Sequence, residues 1–244
     1  MKIEYTEIFG FRAAFRGMRN PFDSWDKSDS RFFSYGRHID LFSNDAPEKP
    51  SELPEGPEMQ SVNISSSELP HIGPADVDLA LRLIKQGGDH RKFLRMIAVW
   101  CDITIPRYVW QEVDTYKVGT VRNSCSTMNT LGKRELVQED FENPLPEVFL
   151  RELNQAVKDF QEADGSSAKR SERVTLKDML PEGYLQKATY MFNYEVGLRM
   201  FFSRRKHRLP MWREGCKGSI CEWIKSWPYM GRFLEAEAAR RKRK

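Results

Sequence analysis

A run of small polar side chains in the middle of the chain has the residue types that could do chemistry. Residues 118–129, VGTVRNSCSTMN, combine hydroxyl, thiol and amide groups with a single cation, Arg122. Such a run has too little apolar surface to build a core by itself. Its backbone N–H and hydroxyl groups suit a polar ligand such as phosphate, so we predict an exposed binding loop here.

The elements that must position this loop lie just before it. Gly87 and Gly88 end a helix that begins at Pro74, because glycine readily adopts the left-handed backbone conformation. Residues 93–105 are rich in apolar and β-branched side chains and predict a buried strand.

A second helix is predicted after this strand. Pro106 suits the first helical position, where its missing N–H group would have no partner in any case. The helix ends near Gly119, and its predicted face consists of Val109, Trp110, Val113 and Lys117.

This layout resembles flavin-dependent thymidylate synthase (ThyX). That family has a Gly-x-His element, a strand, a Pro-led helix, the motif Arg-His-Arg-x-x-Ser and then Ser-x-Arg. In this chain His90 completes the Gly-x-His element. The positions of Arg-His-Arg-x-x-Ser are held here by Thr115, Tyr116, Lys117 and Thr120. The positions of Ser-x-Arg are held by Cys125, with Ser126 beside it, and by Thr127.

The resemblance continues over residues 176–227. The family has Leu-Pro, a gap, and then Asn-x-Arg opening a helix that ends in Leu-Arg. Leu180 and Pro181 are followed at a matching separation by Asn193, and Glu195 stands at the arginine of Asn-x-Arg. Arg204 stands at the arginine of Leu-Arg, and Arg199 is a further cation on the same predicted helix.

The resemblance implies an α/β (α+β) fold, a ThyX-like mixed sheet packed against long helices, assembled as a homotetramer. It also implies FAD as cofactor, a dUMP-type pyrimidine nucleotide as substrate, and NADPH and methylenetetrahydrofolate as co-substrates for methylation at C5. The implied cofactor-binding residues are His90, Thr115, Tyr116, Lys117, Thr120, Asn193 and Arg199. The implied substrate-binding residues are Arg122, Cys125, Ser126 and Arg204, and no catalytic residue is assigned.

Structural interpretations of these residues stay open beside the functional ones. His90 and Asn193 also suit helix-capping positions, and Tyr116 suits a core. The chain is therefore either a diverged flavin-dependent enzyme or a non-catalytic relative that binds a nucleotide, a nucleic acid or a protein. Nucleic-acid binding would use the basic ends, Arg12, Arg16, Arg19 and residues 240–244, but solvated charged surfaces are the favoured interpretation.

Composition sets the remaining limits. The 244 residues are 40% hydrophobic and carry a net charge of +4, which fits one domain, 1–244, with a real core. No apolar run approaches the ~20 residues of a membrane span, and the four cysteines lack metal-like or disulfide-like spacing. We therefore expect a cytoplasmic protein with reduced thiols and without a metal site.

Several further segments have a predicted character. The Pro/Glu/Ser-rich residues 43–72 predict an insertion or flap, and residues 235–244 a basic, exposed tail. Residues 20–42 predict an ordered loop that packs Trp25, Phe32 and Phe33, and residues 163–173 predict a flexible connection in front of a short helix capped by Thr175. Residues 145–160 and 210–227 predict helices, and residues 184–227 predict an apolar helical surface.

Overall fold

The structure is a computed structural model that describes residues 1–34, 37–40 and 70–243. The strands are β1 (Lys2–Phe9), β2 (Arg31–Ser34), β3 (Arg37–Asp40), β4 (Pro70–His71), β5 (Ala98–Pro106), β6 (Val121–Ser124) and β7 (Leu185–Asn193). The helices are α1 (Phe11–Arg19), α2 (Pro74–Gln86), α3 (Arg107–Val113), α4 (Thr127–Thr130), α5 (Glu147–Glu162), α6 (Ser166–Met179), α7 (Tyr194–Arg204), α8 (Ile220–Lys225) and α9 (Met230–Arg241). Most of the insertion predicted at 43–72 lies outside the described residues.

The described strands form two sheets. Four strands pair in the order β1-β5-β7-β6, and three pair in the order β3-β2-β4. In the smaller sheet β2 is antiparallel to both neighbours, with Arg31 opposite Asp40 on one side and opposite His71 on the other. The predicted α/β fold class is confirmed, and the homotetramer stays a prediction.

The described chain divides into two compact units. Unit 1 comprises Met1–Glu4, Asp102–Lys117 and Arg122–Tyr190, and unit 2 comprises Tyr5–Cys101, Val118–Val121 and Met191–Lys244. Strands β1, β5, β6 and β7 contribute residues to both units. The division of the chain as one domain stays a prediction.

Unit 2 has an aromatic core around Tyr194, which is fully buried. The Tyr194 ring lies 5.4 Å from the ring of Phe11 and 5.3 Å from that of Trp227. Gly197, one helical turn further along α7, lies directly beneath the Trp227 ring, since a Cβ atom there would be 2.3 Å from Trp227 Cζ3. This core therefore requires glycine at 197.

A buried ion pair joins two helices of unit 2. Arg19 in the last turn of α1 donates from Nε to Asp76 in the first turn of α2, at 2.5 Å, and both side chains are buried. The hydroxyls of Ser28 and Ser30 donate to the other Asp76 oxygen. Arg19 is therefore not available to the nucleic-acid contact that its spacing with Arg12 and Arg16 had left open.

Unit 1 contains the helix pair α5 and α6. Its core consists of Leu131, Leu136, Phe141, Leu153, Ala156, Val157, Leu176 and Leu180. The prediction of a flexible connection over 163–173 is wrong, because α6 begins at Ser166. Thr175 lies inside α6, where its hydroxyl donates to Ser171 O, so the predicted cap is also wrong.

Four other sequence-based element assignments are wrong. Residues 20–42 carry β2 and β3 instead of a loop, and Trp25 is 42% exposed instead of packed. Residues 185–193 form β7 instead of helix, and the strand predicted from 93 begins only at Ala98, after a short 3-10 helix. The helix predicted from Pro210 begins at Ile220, because Gly215 and Gly218 adopt left-handed backbone conformations.

Two further boundaries differ from the sequence prediction. Helix α3 ends at Val113, so Lys117 lies beyond it, exposed and off its buried face. The predicted exposed tail over 235–244 is wrong for Ala236 and Glu237, which are buried in α9, while residues 241–243 are exposed.

Candidate functional site

The polar loop of unit 1 is an ordered strand and turn. The Cys125 N–H donates to Lys187 O at 2.8 Å, which attaches the residue after β6 to β7. The Ser126 carbonyl accepts the N–H groups of Asn129 and Thr130 and so starts the single turn α4. The Cys125 thiol remains exposed, and Ser126 is half-buried. The loop therefore presents a thiol and a hydroxyl on a fixed backbone.

The cation of this loop is already paired within unit 1. Arg122 Nη1 donates to Asp114 Oδ2 at 2.6 Å, and its guanidinium lies 4.7 Å over the Trp110 ring. Trp110 is held in turn by its indole N–H, which donates to Gln186 O at 2.8 Å. Arg122 is thus rigidly placed, but a ligand phosphate would compete with Asp114 for its charge.

The three residues at the Arg-His-Arg position have different environments. The Thr115 hydroxyl donates to Glu112 O at 2.7 Å, and Tyr116 is only 9% exposed, as core packing requires. Lys117 is exposed and makes no ion pair within the described ranges. Only Lys117 offers a positive charge to a ligand here.

The cofactor candidates of unit 2 lie around the start of α7 and the end of α2. Asn193 caps α7, because its Oδ1 accepts the Val196 N–H at 3.0 Å. Gly119 approaches the Asn193 amide so closely that a Cβ atom would lie 2.7 Å from Nδ2. Thr120, the next residue, is half-buried. His90 and Arg199 are exposed, and neither side chain has an ionic partner in the part of the chain that the structure describes.

Glu195 takes part in a buried ionic cluster of unit 2. Arg91 donates to Glu195 Oε1 at 2.8 Å and to Glu237 Oε2 at 2.6 Å. Glu237, which is fully buried, also accepts from Arg240 and Arg241. Burial raises the pKa of Glu237, but the hydrogen bonds from Arg240 and Arg241 outweigh it, so the pKa lies below its usual range. We call these five residues the buried ionic cluster.

Sequence reasoning missed the partners in this cluster. Arg91 and Glu237 are 146 positions apart, so no local pattern joins them. The available signal was the position of Glu237 in its helix, three residues after Leu234 and four after Phe233, on the apolar face.

The end of α7 brings hydrogen-bond donors together around Arg204. Its Nη1 lies 3.1 Å from His207 Nε2, and its guanidinium lies 5.1 Å over the ring of Trp212, which is fully buried. The Leu209 N–H donates to His207 Nδ1 at 3.2 Å. We call Arg204, His207 and Trp212 the donor corner.

The role of each His207 ring nitrogen depends on the tautomer. In the tautomer whose Nδ1 accepts the Leu209 N–H, the proton lies on Nε2, next to Arg204 Nη1. The Trp212 indole N–H is also buried, with no acceptor among the described residues. An anionic acceptor at the donor corner would satisfy this indole N–H.

Cysteine and metal chemistry are limited in the described residues. Burial, together with the charges of Glu214 and Glu222, raises the pKa of the Cys221 thiol to about 12, so it is protonated at neutral pH. No group of three His, Cys, Asp or Glu side chains in the described ranges could hold a metal ion. None of the helices described is both long and apolar enough to cross a membrane.

Comparison with known proteins identifies the fold. No protein-family profile and no curated protein matches the sequence. The chain is similar to a solved structure of the flavin-dependent thymidylate synthase ThyX from Helicobacter pylori, complexed with FAD and dUMP. The TM-score is 0.59 at 14% identity, over 96% of this chain and 97% of that chain. A second structure of the same enzyme, also with FAD and dUMP, gives 0.58 at 13% identity, over 97% and 99%. At this identity the likeness concerns architecture alone, and the chain has a ThyX-like fold.

Proposed function

We propose that the protein is a ThyX-like flavoprotein that binds FAD and a pyrimidine nucleotide of the dUMP type. Two facts about the similar structures support this proposal. Their fold matches over nearly the whole length of both chains, and they were solved with those two molecules bound. The observation that carries it is the donor corner. Arg204 stands where the resembled family places an arginine, its guanidinium stacks on Trp212, and the buried Trp212 indole N–H has no acceptor among the described residues.

In this proposal Arg204 binds the nucleotide phosphate. A guanidinium fork matches phosphate oxygens, and stacking on Trp212 limits the orientations of that fork. The exposed Cys125 thiol and the Ser126 hydroxyl of unit 1, and Arg122 once it leaves Asp114, are the further substrate-binding groups proposed.

The nucleotide assignment is tested by calorimetric titration with dUMP. A charge-assisted hydrogen bond contributes about 1.5–3 kcal/mol, so Arg204→Ala should weaken binding by roughly ten- to a hundredfold. Arg204→Lys keeps the charge but loses the fork and should give an intermediate affinity. Arg208→Ala, which removes an exposed cation four residues later, is the matched control. Wild-type affinity in a folded Arg204→Ala protein would contradict the assignment.

The residues proposed for the flavin fit its charge only in part. FAD, when bound, supplies the hydride chemistry that the protein then orients. Lys117 and Arg199 are exposed cations that suit a pyrophosphate, and His90 is an exposed hydrogen-bonding group. The Thr115 and Thr120 hydroxyls and the Asn193 amide are the neutral contacts proposed, and the buried Tyr116 supports them from the core.

The absorption spectrum of protein incubated with FAD and then desalted tests flavin binding. We expect retained absorption in the visible range. Lys117→Gln and Arg199→Gln should each weaken FAD affinity by about tenfold, which corresponds to about 1.4 kcal/mol. Lys133→Gln, at another exposed lysine, is the matched control. Equal affinities for all three variants would reject both cation assignments.

We further propose that any thymidylate synthase activity, with NADPH and methylenetetrahydrofolate as co-substrates, is weak. Thr127, Thr115 and Tyr116 stand where the resembled family has two arginines and a histidine. Each lost cation removes a charge-assisted contact, and a slightly misplaced substrate reacts far more slowly. The tests are complementation of a thymidine-requiring bacterial strain and tritium release from labelled dUMP. Growth of that strain without thymidine, together with a tritium-release rate equal to that of ordinary ThyX enzymes, would overturn this proposal.

A specific observation favours the second candidate, a non-catalytic relative. Glu195 reverses the charge at an arginine position of the family and is committed to Arg91 inside the protein. Under this candidate the protein binds dUMP at the donor corner but retains no flavin after incubation. The absorption spectrum and the dUMP titration together separate the two candidates.

A further inference from the structure

Unit 2 concentrates positive charge in two segments that are distant in sequence. Residues 204–217 contain six Arg and Lys residues and one carboxylate, Glu214, and residues 240–243 are all basic. The net charge of the whole chain is only +4, so these two segments are far more positively charged than the chain as a whole. Glu214 forms an ion pair with Lys225, at 3.5 Å, so its charge is shared with a lysine outside the two segments.

The two segments meet on one aromatic ring. The guanidinium of Arg205 lies 5.2 Å from the ring centroid of Phe202, and that of Arg241 lies 4.4 Å from the same centroid. The ends of α7 and α9 are therefore adjacent, and cation–π contacts hold both guanidiniums in fixed positions. We define the basic surface as Arg205, Lys206, Arg208, Arg241, Lys242 and Arg243.

Helix electrostatics account for only some of these cations. The carbonyl groups at a helix C-terminus favour positive side chains in the last turn, which explains Arg204 and Arg240. Arg241 additionally contacts the buried Glu237. Lys206, Arg208, Lys242 and Arg243 lie beyond the two helices, are exposed, and make no ion pair with any described residue. No described ion pair therefore accounts for these four cations.

We propose that the basic surface binds the phosphate backbone of double-stranded DNA. Two guanidiniums held on one ring, beside four exposed cations, can contact a row of phosphates, which supply most of the affinity of sequence-independent binding. Single-stranded nucleic acid is bound largely by stacking of bases on exposed aromatic rings. Here Phe202 is covered by two guanidiniums and Trp212 is buried, so neither of these two rings offers a stacking platform beside the charge.

This proposal is independent of the flavin and nucleotide proposals. It uses neither Arg199 nor Arg204. Substitutions in the basic surface should leave the dUMP titration and the flavin spectrum of the full-length protein unchanged. Failure of one proposal is therefore distinguishable from failure of the other.

The test is fluorescence anisotropy of a labelled DNA duplex of about 20 base pairs, titrated with the full-length protein at about 50 mM and about 200 mM salt. We expect binding at the lower salt that falls steeply at the higher. The triple variant Arg205→Gln, Lys206→Gln, Arg208→Gln should lower the magnitude of the logarithmic salt slope by about one for each lost contact. Its affinity at low salt should fall by at least about tenfold.

The matched control removes three exposed cations of unit 1, by the changes Lys133→Gln, Lys169→Gln and Arg170→Gln. Its net charge equals that of the test variant, so it should bind the duplex nearly as wild type does. Equal losses in both triple variants would overturn the proposal, as would no binding at low salt. Tighter binding to a single strand, or binding to phosphatidylserine vesicles but not to the duplex, would also overturn it.

Discussion

Removing one charge from the buried ionic cluster should strongly destabilise the protein. The substitution Glu237→Gln keeps the size of the side chain and one acceptor oxygen. It replaces the other oxygen by an amide donor that faces the guanidiniums of Arg91, Arg240 and Arg241. Arg91, whose side chain is 7% exposed, would then have an ion pair with only one carboxylate, that of Glu195.

The magnitude follows from the burial of the charges. Breaking a buried ion pair by removing one partner lowers the free energy of unfolding by about 3–5 kcal/mol. The remaining amide oxygen favours the lower end, about 3 kcal/mol. For a chain of this size that value corresponds to a fall in Tm of roughly 6–12 °C.

The assay is urea unfolding at pH 7, followed by circular dichroism, with a thermal melt as a second measurement. Glu235→Gln is the matched control, because Glu235 is exposed on the same helix. It should change the free energy of unfolding by less than about 0.5 kcal/mol. If both variants lose the same small amount, the cluster does not stabilise the fold and our reasoning is refuted.

One pH dependence, two structural positions and the state of assembly give the remaining predictions. The pKa of Glu237 is lowered in the folded state from its usual 4.5. The stabilisation by its carboxylate is therefore present above pH 4.5 and is lost as the pH falls through the folded-state pKa. The stability difference between wild type and Glu237→Gln should decrease over the same pH range. A difference independent of pH would show that Glu237 carries no charge. Gly197→Ala should lower stability by about 1–3 kcal/mol in the same urea assay, because its Cβ would overlap the Trp227 ring, whereas Gly231→Ala, in open space, should not. Asn193→Ala should lose about 1 kcal/mol of capping energy and Asn193→Ser much less, and equal losses would mean that the cap is unimportant. Light scattering at micromolar concentration should give the mass of two or more chains, most simply four, and a monomer would reject the predicted assembly.

Local chemistry explains which elements could be predicted from the sequence. Helix α2 lies between Gly73 and Gly87, and the left-handed conformation of Gly87 ends it where the double glycine predicted. Asn193 starts α7 as its cap, because a short amide can reach the helix N–H groups without any tertiary partner. The ThyX-like layout also predicted the α/β fold class, which the structure confirms.

The errors arose where one apolar pattern fits two structures. In β7 the buried residues are Ala188, Tyr190 and Phe192, which alternate as in a strand, but the apolar run continues directly into α7. Helix α6 buries only Leu176, so its apolar pattern was too weak to indicate a helix.

The candidate site was the least predictable part. Motif position indicates which residue types stand where, but not which neighbours already use them. Arg122 is paired with Asp114 and Glu195 with Arg91, and only the folded chain brings the second pair together. Conversely, the donor corner depends on His207 and Trp212, which no motif singled out.

The pairing of β2 with both β3 and β4 has a consequence for protein engineering. Arg31 lies opposite both Asp40 of β3 and His71 of β4. The chain therefore leaves and re-enters the described structure on the two sides of β2, about two strand spacings or roughly 10 Å apart. When the ends of a connection are fixed by the fold, doubling its length changes the closure free energy by only about 0.6 kcal/mol. A reporter domain or affinity tag whose termini lie close together could therefore be inserted between these strands, as a handle for surface attachment that leaves both chain ends unmodified.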